Sequence, residues 1–209
     1  MNNQIRDIIR GAMFGVATGD ALGAPLEFMS AESIQQQYGT VREMIGGGWL
    51  NVRPGEITDD TQMTLAVAHG IVDSPNDPIE AIGQYFVNWY NGRPKDVGAT
   101  CASSIHNAIC AARQKQKPTK ADWSRAAKVT HNLTYGRTAG NGSLMRTAYV
   151  GLYYSDEQEV RQRAYDISRM THYDEDTAID CASYCAALNK MFETANFNAR
   201  IEAIIGCTE

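Results

Sequence analysis

Asp77-Pro78-Ile79-Glu80-Ala81-Ile82-Gly83-Gln84-Tyr85-Phe86-Val87-Asn88-Trp89 is the stretch that decides the fold class. Asp followed by Pro has the form of an N-cap with proline at the first helical position, where a missing N–H removes no hydrogen bond. Ile79, Ile82, Phe86 and Trp89 then recur at spacings of three and four, which puts them on one helical face. The same period appears upstream in Ile5, Ile8, Ile9, Ala12, Met13 and Val16, and downstream in Ile105, Ala108, Ile109 and Ala112. Ser155 with Gln158 has the form of a capping box opening a helix to about Met170. Asp180 to Met191 is Ala-rich and helical, and 196–205 reads as a short final helix. No sustained alternation with β-branched enrichment occurs, so the expectation is an all-α chain of about eight helices. Longer non-helical pieces are expected near 39–60, 91–98 and 130–142, and one domain over 1–209 is the simplest account.

Composition narrows the functional classes. The chain has 209 residues, 44% of them hydrophobic, and a net charge of −5. No basic stripe is present, so no nucleic-acid partner is expected. The N-terminus has no apolar h-region, and apolar runs stop well short of the ~20 residues a bilayer span needs, so no membrane partner is expected. The five cysteines are Cys101, Cys110, Cys181, Cys185 and Cys207; they lack metal-ligand spacing and read as small buried residues in a reducing, cytoplasmic setting. The histidines His69, His106, His131 and His172 are scattered, with no His-Asp pair and no His-Glu-x-x-His helix.

Five polar constellations stand out. Thr58-Asp59-Asp60-Thr61 offers hard oxygen ligands at the mouth of a helix, a donor set suited to Mg²⁺ or Mn²⁺; the plainer alternative is that Thr58 caps and the two Asp favour the helix dipole. Gly19-Asp20-Ala21-Leu22-Gly23-Ala24-Pro25-Leu26-Glu27-Phe28 delivers Glu27 into an apolar neighbourhood, where a raised pKa would suit a general acid or base; the alternative is an exposed Glu after a C-capping Gly. Gly140-Asn141-Gly142-Ser143 allows backbone N–H groups to approach an anion, although it also describes a tight turn. Trp89 to Gly98 places Asp96 at a helix opening. Thr171-His172 ends the series; a lone His near a helix end is more commonly a cap or surface group.

The order of these motifs carries more than any one of them. GAMFGVATGDALGAPLEF, GEITDDTQMTLAVA, WYNGRPKDVGAT, GNGSLMRTAYV and THYDEDTAIDCASY together resemble the ADP-ribosylglycohydrolase family, over residues from about 9 to 190. That resemblance implies an all-helical fold, a dinuclear Mg²⁺ or Mn²⁺ centre, and hydrolysis of the N- or O-glycosidic bond between C1 of the distal ribose of ADP-ribose and an acceptor. It implies that Thr58, Asp59 and Asp60 hold metal and that Glu27 and Asp60 serve catalysis, Glu27 near the scissile bond. Asp96 would meet the ribose or a metal-bound water, Asn141, Gly142 and Ser143 would line the diphosphate and ribose, and His172 would lie at the pocket wall. The partner implied is an ADP-ribosylated protein or small molecule.

The family's late Gly-Asp-Thr-Asp-Thr motif, which supplies the other metal ligands, does not follow residue 191, and Tyr149 stands where many members have Pro. The expectation is a C-terminally shortened family fold with one ion or none, self-association over exposed apolar surface, and, as the alternative function, an impaired ADP-ribose-binding or structural member. Asp174-Glu175-Asp176-Thr177 is the internal candidate for replacement ligands; a solvated helix N-terminus is the plainer reading.

Overall fold

The computed structural model describes residues 3–112 and 117–193. Among these the chain forms nine α-helices and no strand: α1 (Asn3–Gly23), α2 (Ala31–Gln37), α3 (Asp59–Asp73), α4 (Ile79–Asn91), α5 (Ala99–Ala111), α6 (Lys120–Leu133), α7 (Ala148–Tyr153), α8 (Glu157–Ser168) and α9 (Glu175–Glu193). Short 3₁₀ turns occupy Ala24–Leu26 and Leu144–Arg146. The all-α expectation is met. The predicted helix over 196–205 and Cys207 lie outside the described residues. None of the described helices is long and apolar enough to cross a membrane.

The chain divides into two compact units, one ending at Gln62 and one starting at Met63. In the first, α1 runs into the 24–26 turn, α2 follows, and an irregular segment carries a single antiparallel bridge, Gly47 to Val52. Gly48 sits at φ +67, and a Cβ there would lie 2.7 Å from the Pro25 Cα and carbonyl oxygen. Any side chain is therefore excluded twice, by backbone conformation and by space. That close approach packs the 46–49 segment onto the chain leading into Glu27.

The second unit holds the hydrophobic core. Val67 and Ile71 of α3, Ile82 and Phe86 of α4, Ile105 of α5, Trp123 of α6, Val150 of α7, Val160 and Ile167 of α8, and Cys181 and Cys185 of α9 are all buried in one cluster. Each large apolar side chain so buried contributes about 1.5–3 kcal/mol before entropy. The face read at Ile79, Ile82 and Phe86 is buried, while Trp89 is partly so. α5 packs on α6, and α9 packs on both α7 and α8. Small residues set these distances: a Cβ at Gly151 would stand 2.4 Å from the Cys185 carbonyl oxygen. Asn189 ties the same crossing, its amide donating to the carbonyls of Gly151 (3.1 Å) and Tyr154 (2.8 Å).

Several local readings shift. α8 is capped by Asp156, whose carboxylate accepts from the Glu159 amide, and not by Ser155. Asp77 pairs with Lys120 instead of capping α4, which starts after Pro78. α5 starts at Ala99 with Gly98 as its cap, so Asp96 lies upstream of the helix and does not open it. α6 occupies part of the expected 130–142 loop; its capping box is Thr119 with Asp122. At 174–177, Asp174 accepts from both the amide and the hydroxyl of Thr177 at 3.0 Å, which makes it an N-cap, the plainer of the two readings. Of the described cysteines, Cys101, Cys181 and Cys185 are buried and Cys110 is half-buried, and none of the four is in a disulfide.

Candidate functional site

In the first unit the Thr58-Asp59-Asp60-Thr61 turn is organised by a residue that carried no assigned role in the sequence reading. Asp20, in the last turns of α1, accepts from the Thr58 amide (2.8 Å) and hydroxyl (2.7 Å) and from the Thr61 amide (3.2 Å) and hydroxyl (2.6 Å). The first amides of α3 need acceptors, and a carboxylate 38 residues upstream supplies them. Thr58 therefore does not cap α3 with its own hydroxyl. Its single hydroxyl proton goes to Asp20 at 2.7 Å, against 3.4 Å to Asp60, so its oxygen lone pairs stay open to a cation. Asp59 is buried and Asp60 half-buried. Burial, then the nearby carboxylates of Asp20 and Glu27, hold the Asp60 carboxyl above the usual range, against the pull of its hydrogen bonds.

Glu27 departs from expectation. It is exposed, because it follows the 24–26 turn at the surface. The carboxyl raised by burial is Asp60. Glu27 is nevertheless held: the Trp49 indole N–H donates to its Oε2 at 2.9 Å. The Trp49 ring meets Phe28 at 5.5 Å, and Phe28 itself is held at φ 63, a conformation uncommon for a bulky residue. The Gly48 approach to Pro25 is what brings Trp49 there.

In the second unit, Asn141 is exposed, Gly142 half-buried and Ser143 buried. Among the described residues the amides of Asn141, Gly142 and Ser143 donate to no backbone acceptor, while the Asn141 carbonyl accepts from Met145. The Ser143 side chain points inward, accepting from Ser168 at 3.0 Å and lying 3.5 Å from the Cys181 sulfur. Its hydroxyl is thus spent within the packing against α8 and α9.

His172 is buried, not a surface cap. Its Nδ1 lies 2.8 Å from the Thr171 hydroxyl. Its other edge lies under the loop: a Cβ at Gly142 would come within 3.1 Å of Cε1 and 3.3 Å of Nε2. A side chain there would need Cys101 and His172 to give way by a few tenths of an ångström. Burial, and then the Arg146 cation, push the imidazole down to about 3 while Asp174 opposes; the ring is neutral at neutral pH. Asp96 is half-buried and makes no hydrogen bond to the 141–143 loop or to His172.

Sequence reasoning missed Asp20, Trp49, Thr61 and Arg146. Asp20, Thr61 and Arg146 sit inside quoted motifs, and the doubled threonines around Asp59-Asp60 were the available signal. Among the described residues no group of three or more His, Cys, Asp or Glu side chains converges closely enough to hold a metal ion. The donor chemistry of the 58–60 turn still fits a hard divalent cation: two carboxylates, one hydroxyl with free lone pairs, and a neighbouring excess of negative charge.

Comparison with known proteins bears on the same residues. The sequence model of the ADP-ribosylglycohydrolase family matches residues 1–206. The chain is 39% identical over 142 residues to an ADP-ribosyl-[dinitrogen reductase] glycohydrolase of Rhodospirillum rubrum, covering 68% of this chain and 43% of that protein. It is 30% identical over 154 residues to an ADP-ribosylarginine hydrolase of Serratia proteamaculans, covering 70% of this chain and 37% of that one. The chain thus spans less than half the length of these two relatives. A solved structure described as an ADP-ribosylglycohydrolase-related protein complex superposes with a TM-score of 0.66 at 26% identity, over 92% of this chain and 59% of that chain. An all-helical fold, the ordered motifs and a match over nearly the whole length agree: this chain belongs to the ADP-ribosylglycohydrolase family.

Proposed function

We propose that this chain carries the working parts of an ADP-ribosyl hydrolase, which releases ADP-ribose from a modified protein or small molecule by cleaving the N- or O-glycosidic bond at C1 of the distal ribose. The observation that carries the reading is the 58–61 turn. Asp20 takes the hydroxyl protons of Thr58 and Thr61, so that Thr58, Asp59 and Asp60 present oxygens to a cation beside a crowded set of carboxylates. Thr58, Asp59 and Asp60 would hold Mg²⁺ or Mn²⁺. When bound, such an ion supplies Lewis-acid polarisation and offsets the chain's charge of −5 toward an anionic substrate.

The chain's own residues account for the rest. Glu27, steadied by the Trp49 indole, is an exposed carboxylate free to exchange a proton near a scissile bond. Asp60, raised by burial, holds a proton more readily than an ordinary Asp. In the second unit the unpaired amides of Asn141, Gly142 and Ser143 suit phosphate oxygens. Asp96 would accept from a ribose hydroxyl, and His172, neutral under the loop, would offer a hydrogen bond without adding charge. The names of the two relatives, one for a modified dinitrogen reductase and one for ADP-ribosylarginine, support an ADP-ribosylated protein as the partner class.

The test is release of ADP-ribose from an ADP-ribosylated arginine peptide at millimolar Mn²⁺, followed chromatographically, beside calorimetry with ADP-ribose. Turnover lost in Asp59→Ala supports the hydrolase. Binding without turnover moves the chain to the ADP-ribose-binding alternative, and neither binding nor turnover overturns the proposal.

A further inference from the structure

Arg146 is a fully buried cation whose partners are all uncharged. Its Nη1 donates to the Gly142 carbonyl at 3.1 Å and reaches the Cys101 sulfur at 3.5 Å. Its Nη2 donates to the Ile167 carbonyl at 3.2 Å and to the Thr171 hydroxyl at 2.8 Å. The guanidinium lies 4.7 Å from the centre of the Phe86 ring, and its Nε has no partner among the described residues. A buried charge is ordinarily matched by an opposite one, because desolvating it alone is costly. Burial accordingly holds Arg146 below its ordinary range. A side chain this expensive, kept where an apolar one would pack, points to a task beyond filling space.

Its contacts say what the task is. They join the loop at Gly142 to the end of α8 at Ile167 and to the turn that follows it at Thr171, which carries His172. The Thr171 hydroxyl that accepts from Arg146 is also the partner of His172 Nδ1. Ala139-Gly140-Asn141-Gly142-Ser143 has two glycines and few side-chain anchors of its own, so its order comes from outside. The guanidinium offers parallel donors in a fixed plane, which an ammonium cannot reproduce.

We propose that Arg146 is a positioning residue: its planar fork fixes the 140–143 loop and His172 in one arrangement, so that the loop amides meet an anionic ligand already ordered. The ligand part rests on the ADP-ribose reading above. The positioning part does not.

The experiment uses the full chain with Arg146→Lys and Thr171→Val, measured by backbone hydrogen exchange, by NMR titration of the His172 ring, and by calorimetry with ADP-ribose. Arg146→Lys keeps a cation and removes the fork. The expected result is exchange of the hydrogen-bonded amides of Met145, Thr171 and His172, which donate to the carbonyls of Asn141 and Ser168, faster by about tenfold or more, with α5, α6 and α9 unchanged, and ADP-ribose affinity lower by about tenfold. His172, faced by Arg146 and Asp174, keeps its low titration point in Arg146→Lys because the charge remains. Thr171→Val, close in shape, removes one acceptor from the fork and the Nδ1 partner; it should loosen the loop in the same direction, and it decides the matter if the Lys variant does not fold. Exchange at the Met145, Thr171 and His172 amides within twofold of wild type in the folded variants overturns the proposal. So does exchange that rises equally through α5, α6 and α9, since that marks a merely structural role. Wild-type protein that fails to bind ADP-ribose removes the ligand reading, and the exchange data still decide Arg146.

Discussion

Replacing Asp20 tests whether one carboxylate organises the 58–61 turn. In Asp20→Ala, four donors lose their acceptor at once: two amides and two hydroxyls, now at 2.6–3.2 Å from the carboxylate. The hydroxyls can turn to water or to their own backbone at small cost. The amides cannot turn, and Thr58 and Thr61 are only 9% and 4% exposed. Stranding a buried donor costs about 1–3 kcal/mol, so two of them cost about 3 kcal/mol after some hydration through the half-buried Asp20 position. Relief of repulsion on Asp60 works the other way, by a smaller amount. A global melting curve reports mainly the larger second unit, so it is the wrong readout for a turn in the first. Hydrogen exchange at the Thr58 and Thr61 amides reads the turn directly. About 3 kcal/mol of local opening corresponds to exchange about a hundredfold faster, at about 1.4 kcal/mol per factor of ten. Asp20→Asn, which keeps one acceptor but sets an NH₂ against donors, should fall between wild type and Ala. Exchange within threefold of wild type in the Ala variant would refute the reasoning.

Two further outcomes follow from the second unit. His172 titrates at about 3 when folded against 6.5 in an open chain, so the unfolded state takes up its proton first as pH falls. Its stabilisation is complete above pH 6.5 and shrinks below it, by about 2 kcal/mol at pH 5 from the linkage relation. Denaturant titrations at pH 8 and pH 5 should show that loss in wild type and its absence in His172→Gln; an equal loss in both excludes His172 as the source. Gly151→Ala would drive a Cβ to 2.4 Å from the Cys185 carbonyl and 3.1 Å from Leu188 Cβ at the α7–α9 crossing. Overpacking of backbone on backbone should cost about 3 kcal/mol, read as a lower denaturation midpoint, and an unchanged midpoint would mean the helices separate freely.

In the second unit, helix faces were legible where apolar residues kept a local period, while the stripe from Ile5 to Val16 on α1 stays exposed or half-buried. Ile79, Ile82 and Phe86 lie in the core as their spacing requires, and Cys181 and Cys185, four apart, share a buried face. α6 was not legible, because its apolar content is low and its capping box, Thr119 with Asp122, lacks the usual Glu or Gln. At 174–177 the helix N-terminus is capped locally by Asp174, whereas at Thr58 the local capping alternative gives way to Asp20, since a cap can be supplied by any carboxylate the fold brings near.

By itself the sequence determined the helical class, the order of the polar motifs and hence the family, because periodicity and motif order are properties of neighbours along the chain. Only the tertiary structure decided which side chains serve those motifs. Asp20 reaching Thr58 and Thr61, Trp49 reaching Glu27, Arg146 joining Gly142 to Thr171, and Ser143 turning inward toward Ser168 are all contacts between residues remote in sequence. Such hydrogen bonds depend on where the backbone travels, and no local propensity records that path.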